Sequence, residues 1–182
     1  MWSLLAYFCI PYSGVYITKM AKYKLSFDDE IEEPFTLIAI HSSEEDYKVA
    51  YLINQHLNFC FKRRRLDIDL PSDGMMVSFP LFYFEDVYNY NQFFLIVNKC
   101  RTFQAALQST GGLFSEVDSE KATDHFLLPE FKKVDYFLKI YSDFENVPLQ
   151  TLISQINNID QIVSAHIVET ENIKSKNNLI FD

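Results

Sequence analysis

The run Phe35-Thr36-Leu37-Ile38-Ala39-Ile40 constrains the fold of this chain more than any other segment. It is apolar on both alternating faces and rich in strand formers, so it reads as a central strand that must be covered twice. The fold therefore needs a layer on each side of a sheet. His41-Ser42-Ser43 closes the strand. Ser42 or Ser43 can cap a following helix, with Glu45 or Asp46 completing a capping box and Glu44 to Asp46 complementing the helix dipole. Within residues 44–57, Val49, Ala50, Ile53 and Leu57 recur at steps of three or four, while Glu45, Lys48 and Gln55 point elsewhere. That helix packs on the sheet.

A second strand–helix–strand pattern closes the chain. Val134, Tyr136, Leu138 and Ile140 share one face of a strand, and Asp135, Phe137, Lys139 and Tyr141 take the other. Pro148 opens a helix at its first position, Leu149, Leu152, Ile153 and Ile156 form its apolar stripe, and residues 162–168 return as a strand. Between the two patterns, residues 59–70 read as a strand interrupted or bulged near Arg63. Pro71-Ser72-Asp73-Gly74 is a turn. Residues 76–87 and 92–100 form an aromatic hairpin around Tyr88-Asn89-Tyr90-Asn91, with Pro80 placing its first arm at an edge or bulge. Residues 101–125, broken by Gly111-Gly112, read as mostly loop with one short element, and Leu179-Ile180-Phe181 as a last edge strand. The expected architecture is α+β: a mixed or mainly antiparallel sheet with two main helices on one face, ferredoxin-like or built of related βαβ units.

A chain of 182 residues suits one domain, and its 48% apolar content supports a core without disulfides or metal. Tyr23, Leu25 and Phe27 alternate with Lys24 and Ser26 as a half-buried strand. Residues 1–19 are apolar but lack the basic start and cleavage site of a secretory signal. Met20 offers an alternative start, so residues 1–19 are expected to be a non-native or disordered extension and residues 20–182 the single domain. No run approaches 18 apolar residues, which excludes a transmembrane helix. Sixteen basic against twenty-five acidic side chains leave a charge of −9, so the averaged field repels nucleic acid and anionic lipid. Cys9, Cys60 and Cys100 are odd in number and form no CxxC pair, which points to a reducing cytoplasm.

Catalytic vocabulary is missing. The sequence holds no GxSxG, HExxH, CxxC, Walker loop or GxGxxG, and His41, His56, His125 and His166 have no close ligand spacing. No catalytic, cofactor-binding or metal-ligating residue is assigned, and no cofactor is expected. Lys62-Arg63-Arg64-Arg65 is the one concentrated basic patch. It can meet phosphates or an acidic protein, but a charged strand edge that discourages aggregation is the favoured reading.

Residues Leu128-Pro129-Glu130-Phe131-Lys132-Lys133-Val134-Asp135-Tyr136 resemble the signature of the bacterial IPExxxVDY family, with Leu in place of the leading Ile and the other five named positions matching. The resemblance continues from Tyr23-Lys24-Leu25 through the Phe-Thr-Leu-Ile strand and the first helix to residues 174–181, covering residues 20–182. It implies no reaction, cofactor or binding residue. Read for themselves, these residues give a strand start: Pro129 biases Leu128 to an extended conformation and Tyr136 points inward with a hydroxyl to satisfy. Asp135 and Lys139 share one face of the strand. Glu130, Asp135, Tyr136 and Lys139 are the candidate functional surface. The leading expectation is a non-enzymatic cytoplasmic interaction or regulatory module, meeting a protein partner or its own copy through the aromatic hairpin, with no membrane. The alternative is a small-molecule binder or enzyme using Glu130 and Asp135 as a carboxylate pair.

Overall fold

The computed structural model describes residues 34–72, 74–104, 121–142 and 147–181. The chain divides into two units, Met1–Glu32 and Glu33–Asp182, and all described residues belong to the second. The strand expected at Tyr23–Phe27, the proposed extension 1–19 and the Gly111-Gly112 break lie outside the described residues.

In chain order the elements are β1 (Phe35–His41), α1 (Asp46–Leu57), β2 (Lys62–Arg63), β3 (Ile68–Ser72), β4 (Met75–Phe79), β5 (Leu81–Asp86), β6 (Asn91–Val97), β7 (Lys99–Gln104), β8 (Lys121–Phe126), a 3-10 turn Pro129–Phe131, β9 (Tyr136–Ser142), α2 (Leu149–Asn157) and β10 (Ser164–Val168). Six strands make the main sheet in the order β10-β1-β9-β6-β5-β2, and every neighbouring pair is antiparallel. Both β9 and β10 pair antiparallel with β1, so they run parallel to each other with β1 between them. Joined by α2, they form the split βαβ unit of the ferredoxin-like motif. The other unit, β1-α1-β2, spans the sheet, and the β5–β6 hairpin is inserted between its strands. The fold is α+β.

Strand alternation sends the residues of β1 into two cores. Ile38 and Ile40 join Leu95, Leu138 and Ile140 under Val49 and Ile53 of α1 and Leu152 and Ile156 of α2. Leu37 and Ala39 join Ile96 and Phe137 on the opposite face. Both helices thus cover one face. The other is closed by Val77 and Phe79 of the β3–β4 hairpin, by Leu127 and Leu128, and by Ile173 and Leu179 near the chain's end. No helix among the described residues is long and apolar enough to cross a membrane.

Several local expectations are corrected. No capping box forms: the N-cap of α1 is Glu45, which makes no side-chain cap bond. Ser42 is buried: its hydroxyl donates to the Gln161 carbonyl at 2.9 Å, and its oxygen accepts from the Glu44 amide at 3.3 Å, one residue ahead of the N-cap. At the other end Asn58 (φ 54°) closes the helix in the left-handed region. Residues 59–70 are two strands of different sheets, with the Arg63–Asp67 ion pair, 2.5 Å, across the break. Pro80 is neither edge nor bulge but a junction. It has no N–H to extend a ladder, so β4 pairs with β3 and β5 with β6. Gly74, at φ 80°, sits in the tight turn between β3 and β4. Within residues 101–125, expected as mostly loop with one short element, residues 101–104 and 121–125 belong to the β7–β8 ribbon, and residues 105–120 lie outside the described residues. The tail makes no strand: Lys176–Leu179 is a 3-10 turn. Val134, expected to share the face of Tyr136, packs on the opposite side because β9 starts only at Tyr136.

Candidate functional site

The segment Leu128–Tyr136 is organised by a residue that the sequence did not single out. Asn98 is fully buried where the apolar run of β6 ends. Its Nδ2 donates to the carbonyls of Phe131 (2.9 Å) and Val134 (2.8 Å), and its Oδ1 accepts from the Leu128 amide at 2.9 Å. Its backbone N–H donates to Asp135 O and its carbonyl accepts from Leu127 N, both at 2.9 Å. A buried amide must satisfy its donors and acceptor, and here each bond also fixes a turn that has no ladder of its own. The only signal in the sequence was a lone polar residue closing five apolar ones.

The four candidate residues hold two different neighbours. Asp135 Oδ2 accepts from the Ser42 amide at 3.0 Å, and the Tyr136 hydroxyl donates to the Glu44 carbonyl. Together they grip the lead-in to α1. Burial pushes the Tyr136 phenol well above its ordinary range, and the negative charges of Asp46, Asp135, Glu45 and Glu44 add to the shift. Glu130 and Lys139 face the chain's end instead. The Glu130 carboxylate accepts from the Ser175 amide at 2.8 Å and its hydroxyl at 3.0 Å. Partial desolvation pushes this acid up, but hydrogen bonds from its own N–H, Ser175 and Lys174 outweigh that and hold it below the usual carboxylate range. Lys139 is 1% exposed. Its Nζ donates to the Leu179 carbonyl at 2.5 Å and lies 4.6, 4.4 and 4.8 Å from the ring centres of Phe35, Tyr141 and Phe181.

This arrangement is a clamp. The two acids engage different segments, and Glu130, held ionised by its donors, is a poor proton donor near neutrality. Two clefts of about 300 and 480 Å³ share Phe35, Thr36 and Leu149 in their walls, and neither Glu130 nor Asp135 lines them.

The basic run lies at the sheet's outer edge. Lys62 and Arg63 form β2, both exposed, and the Arg63 guanidinium sits 5.5 Å from the Phe82 ring centre besides pairing with Asp67. Arg64 is half-buried and Arg65 exposed. The neighbouring aromatics turn inward, with Phe59 4.7 Å from Phe93 and 5.0 Å from Phe84 between ring centres.

The aromatic hairpin is covered along its strands and bare at its turn. Phe82, Phe93 and Phe94 are buried, and Phe94 meets Tyr83 on the next strand and Phe181 from the tail at 4.9 and 5.2 Å. At the turn, Val87, Tyr88 and Tyr90 are 67%, 94% and 62% exposed. The Asp86 carboxylate accepts from the amides of Tyr88 and Asn89 and from the Asn89 side chain at 3.2, 3.3 and 2.6 Å, which fixes the turn. Tyr90 is held at φ 54° and the buried Asn91 Oδ1 has no hydrogen-bond partner among the described residues. Each feature costs on the order of 1 kcal/mol or more, so this turn is not optimised for stability alone.

Each of the four histidines has a close neighbour, and Cys60 is an exposed free thiol. The His41 and His166 rings stack at 5.6 Å, His56 Nδ1 meets the Leu52 carbonyl, and His125 lies between the hydroxyls of Ser72 and Thr102, each at 2.9 Å. Among the described residues no group of three or more His, Cys, Asp or Glu is placed to hold a metal. Burial pushes the Cys100 thiol up, away from the thiolate a nucleophile needs. No protein-family model, curated protein or solved structure matches the chain.

Proposed function

We propose that the chain is a non-enzymatic interaction or regulatory module of the cytoplasm, and that the hairpin turn Val87–Tyr90 is the element it presents to a protein partner. The observation that carries this reading is the contrast within one hairpin: strands buried on both faces, and a turn that displays Val87, Tyr88 and Tyr90 on a backbone pinned by Asp86. Tyrosine offers large amphipathic contact area at the entropy cost of two torsions, and a turn already fixed loses little further freedom on binding. The chain's net charge of −9 favours a protein over a polyanion as partner. Membership of the IPExxxVDY family is part of the same proposal. Support for it comes from the packing or hydrogen-bonding role that Leu128, Glu130, Val134, Asp135 and Tyr136 each take in the clamp.

Affinity capture from native lysate tests the reading, with the full chain and its Tyr88→Ser/Tyr90→Ser variant as baits. A partner recovered by the first and reduced at least about tenfold on the second is the expected result, since truncated aromatic anchors cost about 2 kcal/mol or more. Equal recovery by both baits, or no partner at any salt concentration, contradicts it.

A further inference from the structure

The two outer strands of the main sheet have opposite chemistry. β2 is two residues long and shows Lys62 and Arg63 to solvent, a short charged edge of the kind that keeps foreign strands away. β10 is five residues long, and nothing from Gln161 to Val168 carries a formal charge. Val163 and Ile167 stand 80% and 41% exposed there. Among the described residues β10 pairs only with β1, so one row of its backbone N–H and C=O groups meets no strand.

We infer that this edge pairs with the same strand of a second copy, antiparallel, about a two-fold axis at Ala165. The stretch Ile162-Val163-Ser164-Ala165-His166-Ile167-Val168 has nearly the same chemical types read from either end. An isologous contact requires that self-complementarity, because each residue must suit a partner it meets twice. Centred on Ala165, the pairing sets Val163 against Ile167, Ser164 against His166 and Ile162 against Val168. Gln161 then meets Glu169, and no acid faces an acid. Centring on His166 instead would set Val163 against Glu169, so polarity selects the first register. Ala165 belongs to the core beneath the helices, and period two puts Val163 and Ile167 on that same face. Pairing therefore covers the two exposed apolar side chains with each other and joins six strands from each copy into one antiparallel sheet. Strand direction reverses across the axis, so the two Val87–Tyr90 turns point to opposite ends of the joint sheet. The dimer rests on the sheet edge alone and stands or falls independently of what those turns bind.

Sedimentation velocity on the full chain at about 100 μM tests this, a concentration that populates even a micromolar dimer. The expected species has twice the 21.4 kDa mass of one chain. Val163→Lys changes a side chain that is exposed within one copy, and raises the dissociation constant at least about tenfold by setting a cation against the partner's Ile167. Val163→Lys/Ile167→Glu restores association, because each lysine then meets a glutamate across the axis. A monomeric wild type overturns the inference, as does a dimer that Val163→Lys leaves intact. A dimer that only Tyr88→Ser dissociates overturns it too, by placing the contact at the hairpin. Failure of the folded double variant to recover overturns the register, and Val163→Lys alone decides the interface where the double variant loses its fold.

Discussion

The two faces of the central sheet are closed by different physics. On one, α1 and α2 lay regular apolar stripes over Ile38, Ile40, Leu138 and Ile140, and side-chain bonds of Asn54 to Phe61, Asn157 to Ala165 and Tyr136 to Glu44 only fasten these helices to the adjoining chain. On the other, the cover at 127–134 and 173–181 is irregular backbone with few bonds of its own. It is held by side chains reaching across: Asn98 to three backbone groups, Asn178 to the Leu127 carbonyl, Glu130 to Ser175, and Lys139 to Leu179. A helix carries its hydrogen bonds with it, whereas a loop must borrow them from its surroundings. The signature-like segment belongs to the borrowed kind, which explains why polar residues recur within it.

The contrast can be broken by mutation. Asn98→Ala leaves two carbonyls and an amide unpaired in the interior, and about 3–5 kcal/mol of stability is expected to go, read from the urea midpoint. A loss below about 1 kcal/mol would show that the irregular cover does not depend on it. Ile53→Ala, fully buried on the helix side, is expected to cost about 3 kcal/mol through transfer and cavity terms, with the slope of the denaturation curve unchanged. Lys139→Met sharpens the distinction. An apolar side chain of similar size fits among Phe35, Tyr141 and Phe181, so global stability is expected to move by about 1 kcal/mol or less in either direction. Proteolysis of the tail should nonetheless accelerate, because the bond to Leu179 is gone. An unchanged cleavage rate would remove Lys139 from the clamp.

Glu130 gives a smaller, pH-dependent effect. Its folded-state pKa lies below the ordinary 4.5, so it contributes stability that is present above that value and lost as pH falls through the folded one. The side chain is exposed, so solvent screening limits the gain to roughly 0.5 kcal/mol. Stability measured between pH 6 and about 3 should fall less steeply in Glu130→Gln than in the wild type; parallel curves would contradict the assignment. The smallest effect is expected at the hairpin turn, where Tyr88→Ser should shift stability by no more than about 0.5 kcal/mol because the side chain is 94% exposed.

The same contrast decided what the sequence could reveal. Periodicity identified β1, α1, β9 and α2, because regular elements print their buried faces at fixed spacing: Val49, Ala50 and Ile53 are all buried, as are Leu138 and Ile140. It missed the strands at residues 101–104 and 121–125, whose ribbon exposes Phe103 and carries Arg101 and Asp124 on its surface, so no apolar alternation marks it. It also ran β4 into β5, since strand propensity continues through Pro80 although the ladder cannot. Among the site residues, the inward turn of Tyr136 followed from alternation, while the roles of Asn98 and Lys139 depended on contacts with Val134 and Leu179, 36 and 40 residues away. No local pattern encodes such pairs.

Native-state hydrogen exchange on the wild type and Asn98→Ala tests the clamp most directly. The amides of Leu127, Leu128 and Val134 are bonded within the irregular cover, and those of α1 report global unfolding. The account predicts that in the wild type the cover exchanges through its own opening, at least about tenfold less protected than α1, about 1.4 kcal/mol, and that the variant lowers both by the same global loss because the bonds of Asn98 break in either opening. Equal protection of the cover and α1 in the wild type would mean that the two faces form one cooperative unit, and a cover left unchanged by the variant would mean that Asn98 does not hold it.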